Sequence, residues 1–408
     1  MKVFPHIGVC MFLVLLFVKC DEPNEGFLFQ TKEISNPVNY GGEPNLFQVH
    51  DSMVIMSWVS YVNDTTDALL FSRLDNNVWD SPVEIARGHD WFVNWADFPS
   101  IISFDSTGTN LAAHWLQKSD EGTYDYDVMV SVSNDNGNSW SSPFTPHDDG
   151  IASEHGFVSM LPFSRDSSYI VWLDGRNTKT VIDSINNTKG AMALWGGVFT
   201  SDGRMAWAKE LDNRVCDCCQ TDLVVGGNNT FALFRDRSFD EIRDISFATL
   251  SKTNRPEIHK AFSDNWLISG CPVNGPASIS IDDKILVANY AAPDNNTRIN
   301  LTLIDTKTKE TILLDSLKYD GILGRLDLAK NGDNILLSWI EEKDDFAYVM
   351  INSMSPENLK ILKPEKVAKV SSSRASGFPR VIAYKDGFLV AWIDNQKVKT
   401  IKTTMINI

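Results

Sequence analysis

IMSWV (55–59), AAHWL (112–116), YIVWL (169–173), FALFR (231–235), ILVANY (285–290), ILLSWI (335–340) and LVAWI (389–393) are seven versions of one apolar strand core. They return at intervals of about 50 to 60 residues, and self-similarity at a fixed long period marks one supersecondary unit repeated along a chain. Each copy keeps the same neighbours. A strand precedes it across a short turn, as in NLFQV, FPSIISF and GFVSMLPF, and a third follows, as in ALLFSRL, DVMVSVS and ALWGGVF. Six of the seven units add a fourth (SPVEIA, SSPFTP, AWAKEL, EIHKAF, ETILLD, KILKPEKV), and the seventh reaches the C-terminus without one. Residues 26–35 (GFLFQTKEIS), ahead of the first unit, can supply it. Short alternating strands punctuated by Gly, Asn and Asp read as an all-β chain forming a single β-propeller of four-stranded blades. Seven blades are expected, or six if the fifth or sixth unit is misread, with the N-terminal strand closing the last blade. No segment of useful length has a helical period.

Composition narrows the partners. The 408 residues are 43 % apolar with 12 Trp, enough for a sizeable core. A net charge of −16 argues against nucleic acid, whose phosphates need clustered Lys and Arg. A small anionic ligand stays admissible, because a few local Arg reverse the sign inside one pocket. Met1-Lys2, an apolar run over 7–18 and the acidic DEPNEG after Cys20 read as an export signal over residues 1–20, followed by a short linker over 21–25 and the propeller over 26–408. About a dozen apolar residues are too few to span a bilayer. Cys20 stands where a bacterial lipoprotein is cleaved and acylated, although Lys19 fits poorly before it. A lipid-anchored protein of the periplasm or cell surface and a simply secreted one both stay open, and a monomer is expected. Five sequons (Asn63, Asn186, Asn228, Asn295, Asn300) would accept glycans in a eukaryotic secretory host.

The turn after the third strand of the second unit reads Ser133-Asn-Asp135-Asn-Gly137-Asn-Ser139-Trp140, the Asp-box pattern S-x-D-x-G-x-x-W. A degenerate copy, Thr200-Ser-Asp202-Gly203 with Trp207, follows in the third unit, and the first keeps Ser72, Asp75 and Trp79. Here the chain resembles the sialidase-like (BNR/Asp-box) propeller superfamily over nearly all of its mature length. The resemblance implies the fold and a rim that holds an acidic sugar with Arg residues. The departures are specific. Gly42-Glu-Pro-Asn-Leu46 has no Arg where sialidases carry an Arg-Ile-Pro-type motif, the blade count is higher, and the cysteine cluster is foreign to the pattern. Sialic-acid hydrolysis is therefore not carried over.

In a propeller, the loops from second to third strand and from fourth strand to the next blade share one face. That rule gathers His89, Trp91, Trp95, Asp97, His147, Glu154, His155, Arg176, Cys216, Cys218, Cys219, Arg235, Arg237, Glu241, Arg243 and Cys271 on one rim. Arg176, Arg235, Arg237 and Arg243 are candidate anion contacts, since guanidinium forks bind carboxylates bidentately; an internal Arg–carboxylate ladder with Asp236, Asp240, Glu241 and Asp244 is the competing reading. Trp91, Trp95 and His89 are candidate sugar contacts or inter-blade packing. Glu241, Asp97 and Glu154 are candidate catalytic carboxylates, giving a glycoside-hydrolase-like enzyme if the ligand is turned over. Tyr124, Tyr126 and Tyr319 share the rim, where one could pair with Glu241. Cys216, Cys218, Cys219 and Cys271 admit two disulfides, a copper or zinc site joined by His147 or His155, or free redox-active thiols. Three functions follow: an exported propeller binding or processing glycans or a small anion, a soft-metal envelope protein, or a non-catalytic scaffold or adhesion module.

Overall fold

The computed structural model describes residues 30–183, 188–343 and 346–408. The expected export signal, Cys20 and the Asn186 sequon lie outside them. The seven recurring cores are the second strands of seven blades: Met53–Asn63, Leu111–Lys118, Ser167–Asp174, Asn229–Arg235, Lys284–Ala291, Asn334–Lys343 and Gly387–Asp394. Each pairs antiparallel with an inner strand before it and a third strand after it. The inner strands are Gly41–His50, Ser100–Ser103, His155–Ser164, Asp222–Gly226, Ala277–Ile281, Ile322–Asn331 and Arg380–Tyr384. The last blade takes its fourth strand from Gln30–Glu33, which runs antiparallel to Thr400–Asn407 with Gln30 opposite Asn407. The chain thereby closes the ring between its two ends. Among the described residues, helix is confined to three short 3-10 turns.

One expected strand is reduced. In the second blade SSPFTP contributes a single bridge, Val130 to Phe144, because Pro143 and Pro146 have no N–H for a ladder. The third blade gains instead a small hairpin, Val181–Asp183 with Thr188–Lys189, on its rim loop.

The core is divided by the same period. Seven apolar clusters fill the seven spaces between neighbouring blades. Trp58, Trp172 and Trp339 from the recurring cores are fully buried in three of them. At about 25 cal/mol per Å² of apolar area removed from water, these interfaces supply the main stabilisation of the ring.

The Asp box forms as its sequence implies. Asp135 accepts from the Ser139 N–H (2.9 Å) and hydroxyl (2.6 Å), and Ser133 Oγ accepts from the Gly137 N–H (2.9 Å). Gly137 has φ +81°, and a Cβ there would stand 2.5 Å from Phe71 Cζ. Gly137→Ala is therefore expected to lower stability by about 1–3 kcal/mol, read as a drop in the denaturant midpoint.

A second repeated device prepares the rim. Glu43, Phe157, Val273, Arg325 and Gly377 all have left-handed φ (54°, 52°, 52°, 61° and 57°) where the chain turns from a rim loop into an inner strand. At Glu43, Phe157 and Arg325 the strand register also shifts. Aromatic and β-branched residues adopt this conformation rarely, and such conformations cluster at functional sites.

Candidate functional site

Strand alternation decides what each rim residue reaches. Tyr126 and Asp127 open the third strand of the second blade, and Glu154 and His155 lead into the third blade's inner strand; a parallel bridge joins Tyr126 to Glu154. Successive side chains point to opposite sides, so Tyr126 and Glu154 face one way, and Asp127 and His155 the other.

On the first side, the Tyr126 hydroxyl lies 2.9 Å from Asp97 Oδ2 and 3.1 Å from Glu154 Oε1. Asp97 Oδ1 accepts from the Phe157 N–H at 2.7 Å, a bond that the left-handed Phe157 backbone aims. Phe92 stacks on the Tyr126 ring at 3.9 Å. Asp97 and Tyr126 are buried, and Glu154 is half-buried. Burial raises the Asp97 carboxyl to about 7 and the Glu154 carboxyl to about 8, the latter helped by the neighbouring Asp97 charge. A phenol has one proton to donate, so contact with both carboxyls is satisfied when one of them is protonated and donates back. The trio titrates as a unit that retains a proton near neutrality. Asp97 and Glu154 were legible as candidates; Tyr126 joins those two rather than Glu241.

Glu241 is placed differently. It bridges Arg237 (2.8 Å) and Arg243 (2.8 Å), with Arg214 at 3.8 Å, and the Arg237 bond foremost holds its carboxyl below the usual range. Arg237 also grips Asp217 with bonds of 3.0 Å. These groups form the internal ladder, and Glu241 is an ionised brace rather than a proton donor. Arg235 does not reach the rim surface. It is 2 % exposed, donating to the Asn274, Tyr290 and Arg243 carbonyls and lying over Trp266. Arg176 is held by Asp174 (2.7 Å) and Asp149 (3.1 Å) and covers Trp195.

The aromatic loop divides likewise. Trp91 stacks on Trp115 between blades, and His89 caps the first blade's loop through the Thr65 carbonyl at 2.8 Å. Trp95 lies at the mouth of the central channel, stacked on Phe378. Below it the inner strands enclose a cavity of about 300 Å³ lined by Asn45, Ser159, Asp222, Ser278, Asp327 and Arg380 among others. Two guanidinium groups lie over Trp95: Arg325 (4.8 Å), tied to Ser376 Oγ and nearby carbonyls, and the exposed Arg374 (5.9 Å). Arg374 has no carboxylate partner among the described residues. Neither Arg stood out in the sequence: Arg325 falls within the strand segment GRLDLA, and Arg374 in the SSSRAS loop that the rule puts on the rim.

On the second side, His147 and His155 stack at 3.8 Å with their rings 3° from parallel. Their nitrogens face Asp127 (3.8 and 3.4 Å) and Asp149 (3.5 and 3.2 Å), with Asp174 at 3.6 Å from His155. Burial and the His155 charge lower His147. His155, though buried, is raised by Asp127, Asp174 and Asp149. The two rings are thus pushed in opposite directions inside a carboxylate nest, His155 holding its proton the more tightly, apart from the cysteines. The four cysteines are free, and Cys216, Cys218 and Cys219 offer sulfurs within 4.8 Å of one another.

A stability prediction follows from the raised groups. Asp97, Glu154 and His155 bind protons more tightly folded than unfolded, so their contribution is complete below the unfolded values and is lost as pH rises through the folded ones. Thermal unfolding temperature is expected to fall as pH rises from about 5 to about 9, and Asp97→Asn should flatten that slope.

No protein-family model matches the chain, and no curated protein matches it. Among solved structures, an ulvan lyase of polysaccharide lyase family PL25, bound to -[GlcA(1-4)Rha3S]-, superposes with TM-score 0.56 at 10 % identity over 92 % of this chain and 96 % of that one. A protein of unknown function from Dyadobacter fermentans DSM 18053 superposes with TM-score 0.51 at 11 % identity over 93 % and 99 %. At such identities the likeness is one of fold, and the chain is similar to these propellers along nearly their whole length.

Proposed function

We propose that this chain is an exported, sialidase-like propeller that holds an acidic glycan on its loop rim and cleaves it by proton transfer from Glu154. The observation that carries this reading is the Asp97–Tyr126–Glu154 constellation: a half-buried rim carboxyl whose pKa is pushed up to about 8, with a buried phenol and carboxyl behind it. Hydrolysis and elimination of a glycoside both require a donor for the departing oxygen, and a donor works best with a pKa near the working pH. Asp97 does not meet the ligand; it positions Tyr126. The exposed Arg374, over Trp95 and so near the loop that carries Asp97, supplies a cation for an anionic sugar. Phe239, 84 % exposed beside Arg214, offers a ring face. The acidic sugar bound by the ulvan lyase is consistent with such a ligand.

The test is incubation of the purified mature protein with uronate-containing polysaccharides, sulphated and unsulphated, and with aryl glycosides. New reducing ends report cleavage, and ultraviolet absorbance of an unsaturated uronate separates elimination from hydrolysis. Cleavage lost in Glu154→Gln supports the reading. No cleavage of any substrate, together with no retention on an acidic-glycan array, overturns it.

A further inference from the structure

We infer that Cys216, Cys218 and Cys219, with Cys271 alongside as the fourth donor, form a thiolate site for one thiophilic metal ion of the zinc or copper(I) class, set into the rim beside Glu154. The inference stands on the sulfur geometry and does not depend on the glycan reading.

Two loops build the site. Val215 ends the third blade's outer strand, and Cys216 N–H donates to the Arg235 carbonyl at 2.9 Å, which fixes the first sulfur against the fourth blade. The chain then turns, and the Cys219 sulfur returns to 3.4 Å from that of Cys216, both residues being almost wholly buried. The Cys218 sulfur lies within 4.8 Å of both of these, and Cys271, from the next inter-blade loop, interacts with Cys218. Separate disulfides would give each sulfur one partner at about 2.05 Å. A metal held by thiolates at about 2.3 Å spaces its ligand sulfurs roughly 3.8 Å apart, all around a shared point. Cys216, Cys218 and Cys219, each within 4.8 Å of the other two, converge in the second way.

The charges agree. Arg243 Nη1 points at Cys216 Sγ at 3.3 Å, from a side chain 3 % exposed. A guanidinium stabilises a thiolate and does nothing for a neutral disulfide sulfur. Several thiolates sharing one small volume repel one another, and a bound cation removes that repulsion. Thiolate ligands without oxygen donors select soft or borderline ions such as Cu⁺ and Zn²⁺ over Mg²⁺ or Ca²⁺. The stacked His147–His155 pair faces carboxylates and is not part of this donor set.

The experiment uses the full mature protein purified anaerobically without added reductant. Elemental analysis should find one Zn or Cu per chain. Metal-free protein titrated with Co²⁺ alone should develop intense sulfur-to-cobalt charge-transfer absorption that Zn²⁺ displaces at one equivalent, and a Cu⁺ competition with a chromogenic chelator tells the two ions apart. Cys218→Ser should weaken metal affinity at least tenfold, whereas His147→Gln should retain it. Because a cysteine variant can misfold, denatured wild-type protein is also digested under alkylation. Free thiols at all four positions support the site. Cys216–Cys219 and Cys218–Cys271 cross-linked peptides with no bound metal, or cobalt spectra lacking charge-transfer bands, overturn it. Metal binding without glycan cleavage would leave this inference standing while the glycan reading fails, and the reverse result would do the opposite.

Discussion

Glu154→Gln is expected to lower turnover of the cleaved glycan by about 10²- to 10⁴-fold, the usual worth of a positioned general acid. The amide keeps the side chain's size and its acceptor for the Tyr126 hydroxyl, so folding and KM should change little. Tyr126→Phe is the informative partner. The tyrosine's hydrogen bonds act to lower both the Asp97 and Glu154 carboxyls. Without them each carboxyl moves further up, and the alkaline limb of the rate profile should shift to higher pH even as the rate falls. A merely structural role would leave that limb in place. Steady-state kinetics across pH on both variants make the check, and an unchanged rate in Glu154→Gln would dismiss the assignment.

Arg235→Met should lower unfolding stability by about 4 kcal/mol while leaving ligand affinity in the surviving protein nearly intact. The guanidinium donates to three carbonyls of separate segments, with bonds of 2.7–2.9 Å. A methionine fills similar volume but leaves those acceptors buried without donors, each costing about 1–3 kcal/mol. The carbonyls belong to the fourth blade's own loop, the entry to the fifth blade and the fifth blade's second strand, so the loss falls on the joint between blades. Denaturant unfolding measures the cost. A large loss of acidic-glycan affinity at unchanged stability would instead place Arg235 in the ligand site.

What the sequence showed and what it concealed follow from the periods involved. Blade number, inner, second and third strands, the closing strand and the Asp-box turn were legible because each depends on residues adjacent in the repeat. The loop rule also brought Asp97, Glu154 and the four cysteines to the same rim. It could not say which side chains turn inward. That depends on backbone states such as the left-handed φ at Phe157, which aims its N–H at Asp97 and which no residue preference announces. Tyr126 drew less notice than Glu241 because a phenol carries no motif, whereas Arg-Asp-Arg-x-x-x-Glu looks like a binding site. The near balance of Arg and acidic residues in that segment already pointed to internal pairing, and the ladder through Asp217 and Glu241 is its physical form. Arg325 and Arg374 were concealed for another reason: they come from the far side of the ring and meet Trp95 only through closure at the channel mouth.

The account rests on a carboxyl at the rim that keeps its proton near neutrality, and its most direct test is a carbon-13 NMR titration of glutamate-labelled protein with the Glu154 signal assigned by Glu154→Gln. A titration midpoint near 8, moving further up in Tyr126→Phe, is the predicted result. A midpoint near the ordinary 4.5, unaffected by Tyr126, would contradict the proposed proton donor and with it the catalytic reading of the rim.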